Sequence, residues 1–242
     1  MKALPLQLDS FQSVQEFRDR LAKVTDKIDS LILSAAIVQQ SPIRRMTKDG
    51  FEETFQVNVL AQVLLINSLL PFLLKSSVPR IVTVTSRLHL PGSYGDPVNF
   101  SFDDPNLNSG YSPTRAYKNS KLNVLWITTE FQRRLNEKQL GNIKINSFCP
   151  GFVPETGAPG ANSLFMRVLL RYILPHMPFA TSMSDAVNAY VFMALDQSFE
   201  VNEGGKAFAD LKPLEISLEA KNQEKAERFY DWAYSQIEKF LE

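Results

Sequence analysis

The fold is decided by the stretch Arg80-Ile-Val-Thr-Val-Thr-Ser86, an apolar run that ends on a serine. Such a run predicts a buried strand. A long apolar segment from about Lys48 to Leu74 precedes it and is predicted to be helical. The same order recurs downstream, where a predicted helix from Tyr117 to Leu135 precedes a predicted strand from Asn142 to Phe148. This repeated alternation predicts an α/β fold with a doubly wound parallel sheet.

Three more predicted elements lie near the amino terminus. Ala3 to Leu8 alternates loosely between apolar and polar residues, which predicts a strand. Apolar residues then recur at helical spacing from Phe11 to Val24, and either Asp9 or Ser10 would cap this helix. Ile28 to Ile37 is short and almost wholly apolar, as expected of a parallel strand buried on both faces.

The carboxyl-terminal part continues the pattern. Gly204 to Ala209 predicts a last strand, and Ser217 to Leu241 predicts a closing amphipathic helix. The sequence contains no internal repeat and no linker, and 242 residues are enough for one substantial core. Residues 1–242 are therefore predicted to form a single domain.

Composition and charge exclude several classes of function. Lys plus Arg and Asp plus Glu both total 26, so the net charge is zero and nothing suggests nucleic-acid binding. Cys149 is the only cysteine, which excludes an internal disulfide and a cysteine-cluster metal site. The apolar run Val57 to Leu74 is interrupted by polar residues and predicts a buried helix, not a transmembrane segment. No secretory leader pattern is found, so we predict a cytoplasmic location, with peripheral membrane contact left open.

Tyr117 and Lys121 lie four positions apart in a predicted helix, which places them on one face, one turn apart. A free phenol has a pKa of about 10, and a nearby ammonium favours the phenolate, so the pair could transfer a proton to or from an alcohol. This spacing is common in helices, so the residues around it decide its meaning. Ser86 ends the preceding strand, and Asn58 lies inside the long apolar helix upstream.

The order of these residues carries a family resemblance. Asn58, Ser86 and the Tyr117-x-x-x-Lys121 pair are followed by Cys149-Pro150-Gly151-Phe152-Val153 after another predicted strand. This order resembles the short-chain dehydrogenase/reductase family, and within it the retinol dehydrogenases, the protochlorophyllide reductases and related fungal reductases. The resemblance implies a Rossmann-like fold and an oxidoreductase activity that needs no metal.

The resemblance implies a role for each of these side chains. Tyr117 would be the general acid or base, and Lys121 would lower its pKa and bind the nicotinamide ribose. Ser86 would hydrogen-bond the carbonyl oxygen of the substrate, with Thr85 as the alternative hydroxyl. Asn58 would hold a water in a relay to the lysine, or it would be a polar residue at a helix kink.

The resemblance also implies a nicotinamide cofactor, NADP with NAD as an alternative, and residues that hold it. Asp9 would contact the adenine, unless it only caps the following helix. Ser34 stands in the stretch that lines the cofactor in the family, Val153 would pack on the nicotinamide ring, and Thr156 would bond the amide or the pyrophosphate. Glu155 stands where the family often has Thr or Ser, and its charge would be unfavourable near a phosphate.

The sequence departs from the family pattern in two other places. Leu33-Ser34-Ala35-Ala36-Ile37 stands where the family has Asn-Asn-Ala-Gly and an apolar residue, so the Ala36 methyl replaces a glycine. No glycine-rich turn precedes the predicted sheet, and Leu4 to Asp9 corresponds to the third strand of the family. We therefore expect an amino-terminally truncated domain that lacks the first strand-helix-strand unit, or else a degenerate member of the family that has given up the pyrophosphate site. In either case we expect impaired folding or cofactor binding of the isolated chain.

Two functions follow from this reading. The first is an oxidoreductase that interconverts a ketone or aldehyde with an alcohol. Its substrate would be lipophilic or a secondary metabolite, because the apolar segment Ala158 to Phe179 stands where the family has a mobile cover. That segment could equally pack as an ordinary lid or touch a membrane. The alternative function is a non-catalytic scaffold that binds a partner.

A homodimer through the two long helices is possible, and His89 either lines a pocket or is a satisfied loop residue.

Overall fold

The computed structural model describes residues 2–154, 180–196, 199 and 204–241. Its centre is one five-stranded sheet in which the strands follow each other in sequence order. The first four strands are parallel and the last is antiparallel. The strands are β1 (Ser30–Leu33), β2 (Arg80–Val84), β3 (Lys144–Cys149), β4 (Ala207–Ala209) and β5 (Lys212–Pro213). The predicted α/β fold with a mostly parallel sheet is confirmed.

Helices lie before, between and after the strands. They are α1 (Phe11–Ala22), α2 (Glu53–Leu73), α3 (Pro113–Glu137), α4 (Met183–Leu195) and α5 (Gln223–Ile237). Helix α2 contains a π-helical segment, Gln56–Leu60. Helix α3 begins where Ser112 accepts a hydrogen bond from the Arg115 N–H, and Pro113 occupies its first turn, where a missing N–H costs nothing.

The helices form one layer on each face of the sheet. Helices α1, α2, α3 and α5 pack together in the larger core with the fully buried Trp126 and Phe229. Helix α4 covers part of the other face, where Met193 packs with Val82 and Phe148. Because β1, β2 and β3 are parallel, their carboxyl ends meet at one edge. Ser34, Ser86 and Pro150 follow those three ends, so the fold itself assembles the site.

The predicted strand from Ala3 to Leu8 does not form. A strand needs a neighbour for its backbone hydrogen bonds, and in the described residues no strand lies on the outer side of β1. Leu6 and Leu8 still pack against the core, so their side chains are partly buried without strand pairing. The cap of α1 is Ser10, whose Oγ accepts from the Ser13 N–H at 3.3 Å, and not Asp9.

The strand predicted within Ile28 to Ile37 is shorter and less buried than expected. Only Ser30–Leu33 forms a strand, and the Ile32 side chain is 41% exposed. The prediction of burial on both faces was therefore wrong. The reason is that β1 forms an edge of the sheet in the part of the chain that the structure describes.

Helix α2 is the one described helix that is long and apolar enough to cross a membrane. Most of it is buried inside the protein, where it packs against α1, α3 and α5. Helix α5 also lies along α3, so the chain itself covers part of the two helices predicted to pair in a homodimer.

Candidate active site

A cleft with a volume of about 680 Å³ opens at the carboxyl edge of the parallel strands. The residues that follow β1 and β3 form two of its walls, and α3 and α4 contribute the others. Its lining includes Ser34, Ile37, Tyr117, Lys121, Gly151 and Val153. Four segments that are distant in the sequence therefore meet around one space.

Tyr117 and Lys121 face this cleft together from the first turns of α3. The Lys121 Nζ lies 5.3 Å from the centroid of the Tyr117 ring. It also donates a hydrogen bond of 2.9 Å to the Val84 carbonyl oxygen, and the lysine is only 1% exposed. The structure thus brings the two side chains together as the four-residue spacing predicts.

The pKa values of this pair differ from the sequence-based expectation. Burial raises the pKa of Tyr117 above its ordinary value, although a hydrogen bond with the Ser86 side chain acts in the opposite direction. Burial lowers the pKa of Lys121 to about 8. The expected lowering of the phenol pKa by Lys121 is therefore not found, because the loss of solvent around the phenol dominates.

Ser86 and Thr85 point to different sides, as alternation along a strand requires. Thr85 is buried, and its Oγ1 donates to the Lys121 carbonyl oxygen at 3.1 Å, which ties the end of β2 to α3. Ser86 instead lies near enough to the Tyr117 side chain to act against the rise of the phenol pKa. Its Oγ also accepts from the Leu88 N–H at 3.2 Å and so begins the short 3-10 turn Arg87–His89. Of the two hydroxyls, Ser86 is the one at the phenol.

Asn58 lies in the π-helical segment of α2 and is completely buried. Its Oδ1 accepts from the Ile37 N–H at 2.8 Å, and its Nδ2 donates to the Ile37 carbonyl oxygen at 2.9 Å. The same Nδ2 lies 3.1 Å from Ser120 Oγ on α3. The side chain therefore holds the loop after β1 against two helices. π-Helical segments of this kind are frequent at functional sites. A water relay from Asn58 to Lys121 stays a prediction.

The residues predicted to bind the cofactor are only partly brought together. Ser34 and Val153 line the cleft, and so does Ala36, which is exposed. Asp9 is exposed and lies outside this lining. Thr156, together with Glu155 and the predicted cover, lies outside the described residues.

Gly151 is required by the turn that follows β3. Its φ of +76° lies in the left-handed region, and a Cβ at this position would come 2.5 Å from Thr181 Oγ1. The turn is tied to Thr181, whose N–H donates to the Phe152 carbonyl oxygen at 2.8 Å.

The described residues fit the nicotinamide end of a dinucleotide better than its pyrophosphate. Tyr117, Lys121 and Val153 offer two donors and an apolar surface around a space large enough for a nicotinamide ribose. In residues 2–154 and the other described segments, however, no glycine-rich turn opens a helix at the cleft. The same described residues contain no group of three His, Cys, Asp or Glu side chains that could hold a metal.

Two neighbours of the site were not identified from the sequence. Tyr190 of α4 lines the cleft and packs edge-on against Phe148 at 5.0 Å between ring centroids, and burial raises its pKa to about 12. Its position depends on how α4 crosses the sheet, for which the sequence has no signal. Lys118 is 1% exposed, and its Nζ donates to the carbonyl oxygens of Ser93 and Tyr94, both at 3.3 Å. It anchors the insert that follows β2.

The sequence of the chain is similar to those of several curated proteins. It is 34% identical over 229 residues to retinol dehydrogenase 14 of Homo sapiens, which covers 93% of the chain and 63% of that protein. It is 30% identical over 241 residues to retinol dehydrogenase 13 of Homo sapiens, with 97% and 67% covered. The oxidoreductase calI of Penicillium decumbens is 32% identical over 145 residues, with 57% and 39% covered. The chain thus spans just under two thirds of the first of these relatives.

A model of the short chain dehydrogenase family matches residues 1–98. Among solved structures, an uncharacterised protein from Mycobacterium paratuberculosis has a TM-score of 0.68 at 25% identity, with 96% of the chain and 74% of that protein covered. A short chain dehydrogenase of Escherichia coli CFT073 in complex with NADPH has a TM-score of 0.55 at 19% identity, with 86% and 72% covered. This second similarity shows the fold alone.

Proposed function

The chain belongs to the short-chain dehydrogenase/reductase family, in the branch of the retinol dehydrogenases, and we propose that it interconverts a ketone or aldehyde with an alcohol. The observation that carries the proposal is the pair Tyr117 and Lys121 in the lining of one cleft, with Ser86 near enough to the phenol to influence its pKa. Family membership gives the reaction class, and these three side chains give it a place in this chain.

Tyr117 is proposed to move the proton. In the direction of reduction, its phenol gives a proton to the substrate oxygen as negative charge develops there. Burial raises the pKa of this phenol, which keeps it protonated near neutral pH and suits the donor role. In the direction of oxidation it takes the proton back, and the Lys121 ammonium 5.3 Å from the ring stabilises the phenolate that forms.

Ser86 is proposed to hold the substrate oxygen. Its side chain is near enough to influence the Tyr117 pKa, and a substrate oxygen placed between the two side chains would receive a hydrogen bond from each. The Leu88 N–H occupies one lone pair of the Ser86 Oγ, which leaves the hydroxyl proton free to turn toward the cleft.

The cofactor proposed is NADP, with NAD as the competing choice. A bound nicotinamide supplies or accepts the hydride. Lys121 would hold the ribose, and Val153 would pack on the nicotinamide ring. Ser34 would hydrogen-bond the cofactor from the cleft wall. Asp9 and Thr156 stay predictions. No metal is part of this proposal.

The substrate proposed is a lipophilic or secondary-metabolite carbonyl compound or the matching alcohol. Val84, Val187 and Ala186 give the cleft around Tyr117 an apolar wall. An apolar wall with two polar groups at its base favours an extended hydrocarbon that carries one carbonyl. The names of the relatives, retinol dehydrogenases, fit a substrate of this kind.

The test is the oxidation of NADPH and of NADH with all-trans-retinal and decanal as probes. We expect turnover with NADPH, and a loss of at least about a hundredfold in kcat for Tyr117→Phe. Tyr234→Phe serves as the matched control, because Tyr234 is partly exposed on α5 and lies outside the cleft lining. Unchanged turnover of Tyr117→Phe would overturn the proposal.

A non-catalytic binding protein is the second candidate. It is favoured by the Ala36 side chain in the cleft lining and by the lack of a glycine-rich turn at the cleft in the described residues. Calorimetric titration of the folded chain with NADPH and NADH separates the two functions. Micromolar binding would remove the second candidate, and no binding by a folded chain would remove the first. The cytoplasmic location and the homodimer stay predictions.

A further inference from the structure

His89 is a buried histidine close to the proposed catalytic serine. It ends the 3-10 turn Arg87–His89 that begins directly after Ser86, and only 1% of it is exposed. Its two ring nitrogens face backbone groups of Ser86 and Ser217, so the ring has no polar atom left for a substrate. A buried imidazole needs partners for both ring nitrogens, and these partners show what the residue does.

Both ring nitrogens of His89 have a partner. The Nδ1 lies 2.5 Å from the Ser86 carbonyl oxygen, which can only accept, so Nδ1 carries the proton. The Nε2 then has a free lone pair and accepts from the Ser217 N–H at 3.4 Å. The ring is therefore the neutral Nδ1–H tautomer, and burial, which lowers the His89 pKa, favours the same uncharged form.

The same geometry leaves Ser86 little freedom. Its carbonyl oxygen receives the His89 ring N–H and also the His89 backbone N–H at 3.2 Å. Its Oγ receives the Leu88 N–H. Three hydrogen bonds thus hold the serine, and its hydroxyl proton is the group that remains for Tyr117 and the substrate.

The far side of the ring joins this turn to the carboxyl-terminal layer. Ser217 is 6% exposed, and its Oγ accepts from the Ala220 N–H at 3.2 Å. Close by, the Trp126 Nε1 of α3 donates to the Glu219 carbonyl oxygen at 2.9 Å. The imidazole is therefore held between the Ser86 turn and a segment that α3 itself fixes.

We propose that His89 is a positioning residue for Ser86, whose neutral ring holds the serine carbonyl so that the hydroxyl faces Tyr117. This rests on the proposed function. Because a small misplacement of a catalytic group can cost about a hundredfold in rate, a residue that never touches the substrate can control turnover.

The two ring nitrogens can be tested separately by substitution. An Asn side chain places its amide N–H where Nδ1 lies, and a Gln side chain reaches the position of Nε2. With all-trans-retinal and NADPH, we expect His89→Phe and His89→Gln to lose about tenfold or more in kcat. His89→Asn should keep most of it. The KM for NADPH should change less than about threefold in all three.

A double-mutant cycle separates positioning from general damage. If His89 acts through Ser86, His89→Phe should lower kcat in the native background and have less than about a twofold effect in a Ser86→Ala background. Equal losses in both backgrounds, or no loss in the native one, would overturn the proposal.

A measurement without turnover keeps this inference distinct from the proposed function. Long-range ¹H–¹⁵N spectra report which ring nitrogen carries the proton, and the chain has only two histidines, so His176→Gln assigns the signals. We expect a protonated Nδ1 and an unprotonated Nε2 near pH 7. The opposite tautomer or an imidazolium would overturn the positioning role even in an active enzyme. An inactive protein with the expected tautomer would instead count against the proposed function.

Discussion

The Nζ of Lys121 lies 2.9 Å from the carbonyl oxygen of Val84, the last residue of β2. The lysine on α3 is therefore held by the strand that leads to Ser86, and the same contact keeps it beside the Tyr117 ring. Its ammonium is removed from solvent, and this burial lowers its pKa to about 8, although the nearby Cys149 acts in the opposite direction.

This lowered pKa makes the free energy of unfolding depend on pH. Between about 8 and the ordinary value of 10.5, the unfolded chain binds more protons than the folded one. The stability that this group contributes is therefore complete above 10.5 and is lost as the pH falls through 8. From about pH 7 to pH 10.5, we expect the stability of the native chain relative to Lys121→Met to rise by about 3 kcal/mol. The free energy of unfolding of both proteins is measured with urea over this pH range. A difference between the two proteins that does not change with pH would contradict this expectation.

Substitutions at Ser86 and Thr85 form a matched pair that separates effects on kcat from effects on the free energy of unfolding. Thr85→Val removes a buried hydrogen bond to the Lys121 carbonyl oxygen and should lower the free energy of unfolding by about 1 kcal/mol. Ser86→Ala removes the hydrogen bond from the Leu88 N–H, which should cost at most about 1 kcal/mol, and it should lower kcat by about a hundredfold. Urea unfolding and retinal reduction measured on both variants check this. A larger rate loss for Thr85→Val than for Ser86→Ala would reverse the assignment.

Among the polar side chains of the site, Asn58 is the one whose removal should lower the free energy of unfolding most. Asn58→Ala leaves the Ile37 N–H and carbonyl oxygen without partners, and we expect a loss of about 3 kcal/mol or more in the free energy of unfolding. Ser120→Ala is the control, because it removes one of the three hydrogen bonds of Asn58, together with the one from Ser120 to the Tyr117 carbonyl oxygen, and leaves both bonds to Ile37; it should cost about 1–2 kcal/mol. Similar unfolding midpoints for both variants would show that Ile37 is held by other contacts.

Gly151 and Gly50 both have positive φ but differ in their surroundings. A Cβ on Gly50, with φ of +89°, meets nothing within 4 Å, so Gly50→Ala should cost about 1–2 kcal/mol from backbone strain alone. A Cβ on Gly151 also meets Thr181, so Gly151→Ala should cost at least about 1 kcal/mol more and raise the KM for NADPH. Equal losses in the free energy of unfolding would mean that the turn at Gly151 moves to accommodate the added Cβ without a further cost.

Much of the site could be predicted from the sequence because it depends on local periodicity. The spacing of Tyr117 and Lys121 fixes their common face, and the position of Ser86 after an apolar strand fixes the edge of the sheet at which it appears. The direction of the Tyr117 pKa shift could not be predicted, because it depends on how deeply the phenol is buried. The role of Asn58 depends on the Ile37 backbone, a partner that no spacing rule identifies.

The predicted strand from Ala3 to Leu8 shows a second limit. Its alternation gives a side-chain pattern, whereas a strand exists only if another strand lies within hydrogen-bonding distance. The edge position of β1 likewise explains why Ile32 is exposed although its sequence context is apolar. Tyr190 reaches the cleft through helix packing, which is a property of the assembled fold.

The buried Lys118 ammonium binds two backbone oxygens of the insert, at Ser93 and Tyr94, from the position next to Tyr117. An engineer who exchanges this insert with that of a relative in order to alter substrate preference would leave a lysine behind without its acceptors. A successful loop graft must therefore carry the residue at 118 along with it, or replace Lys118 by an uncharged side chain of similar length.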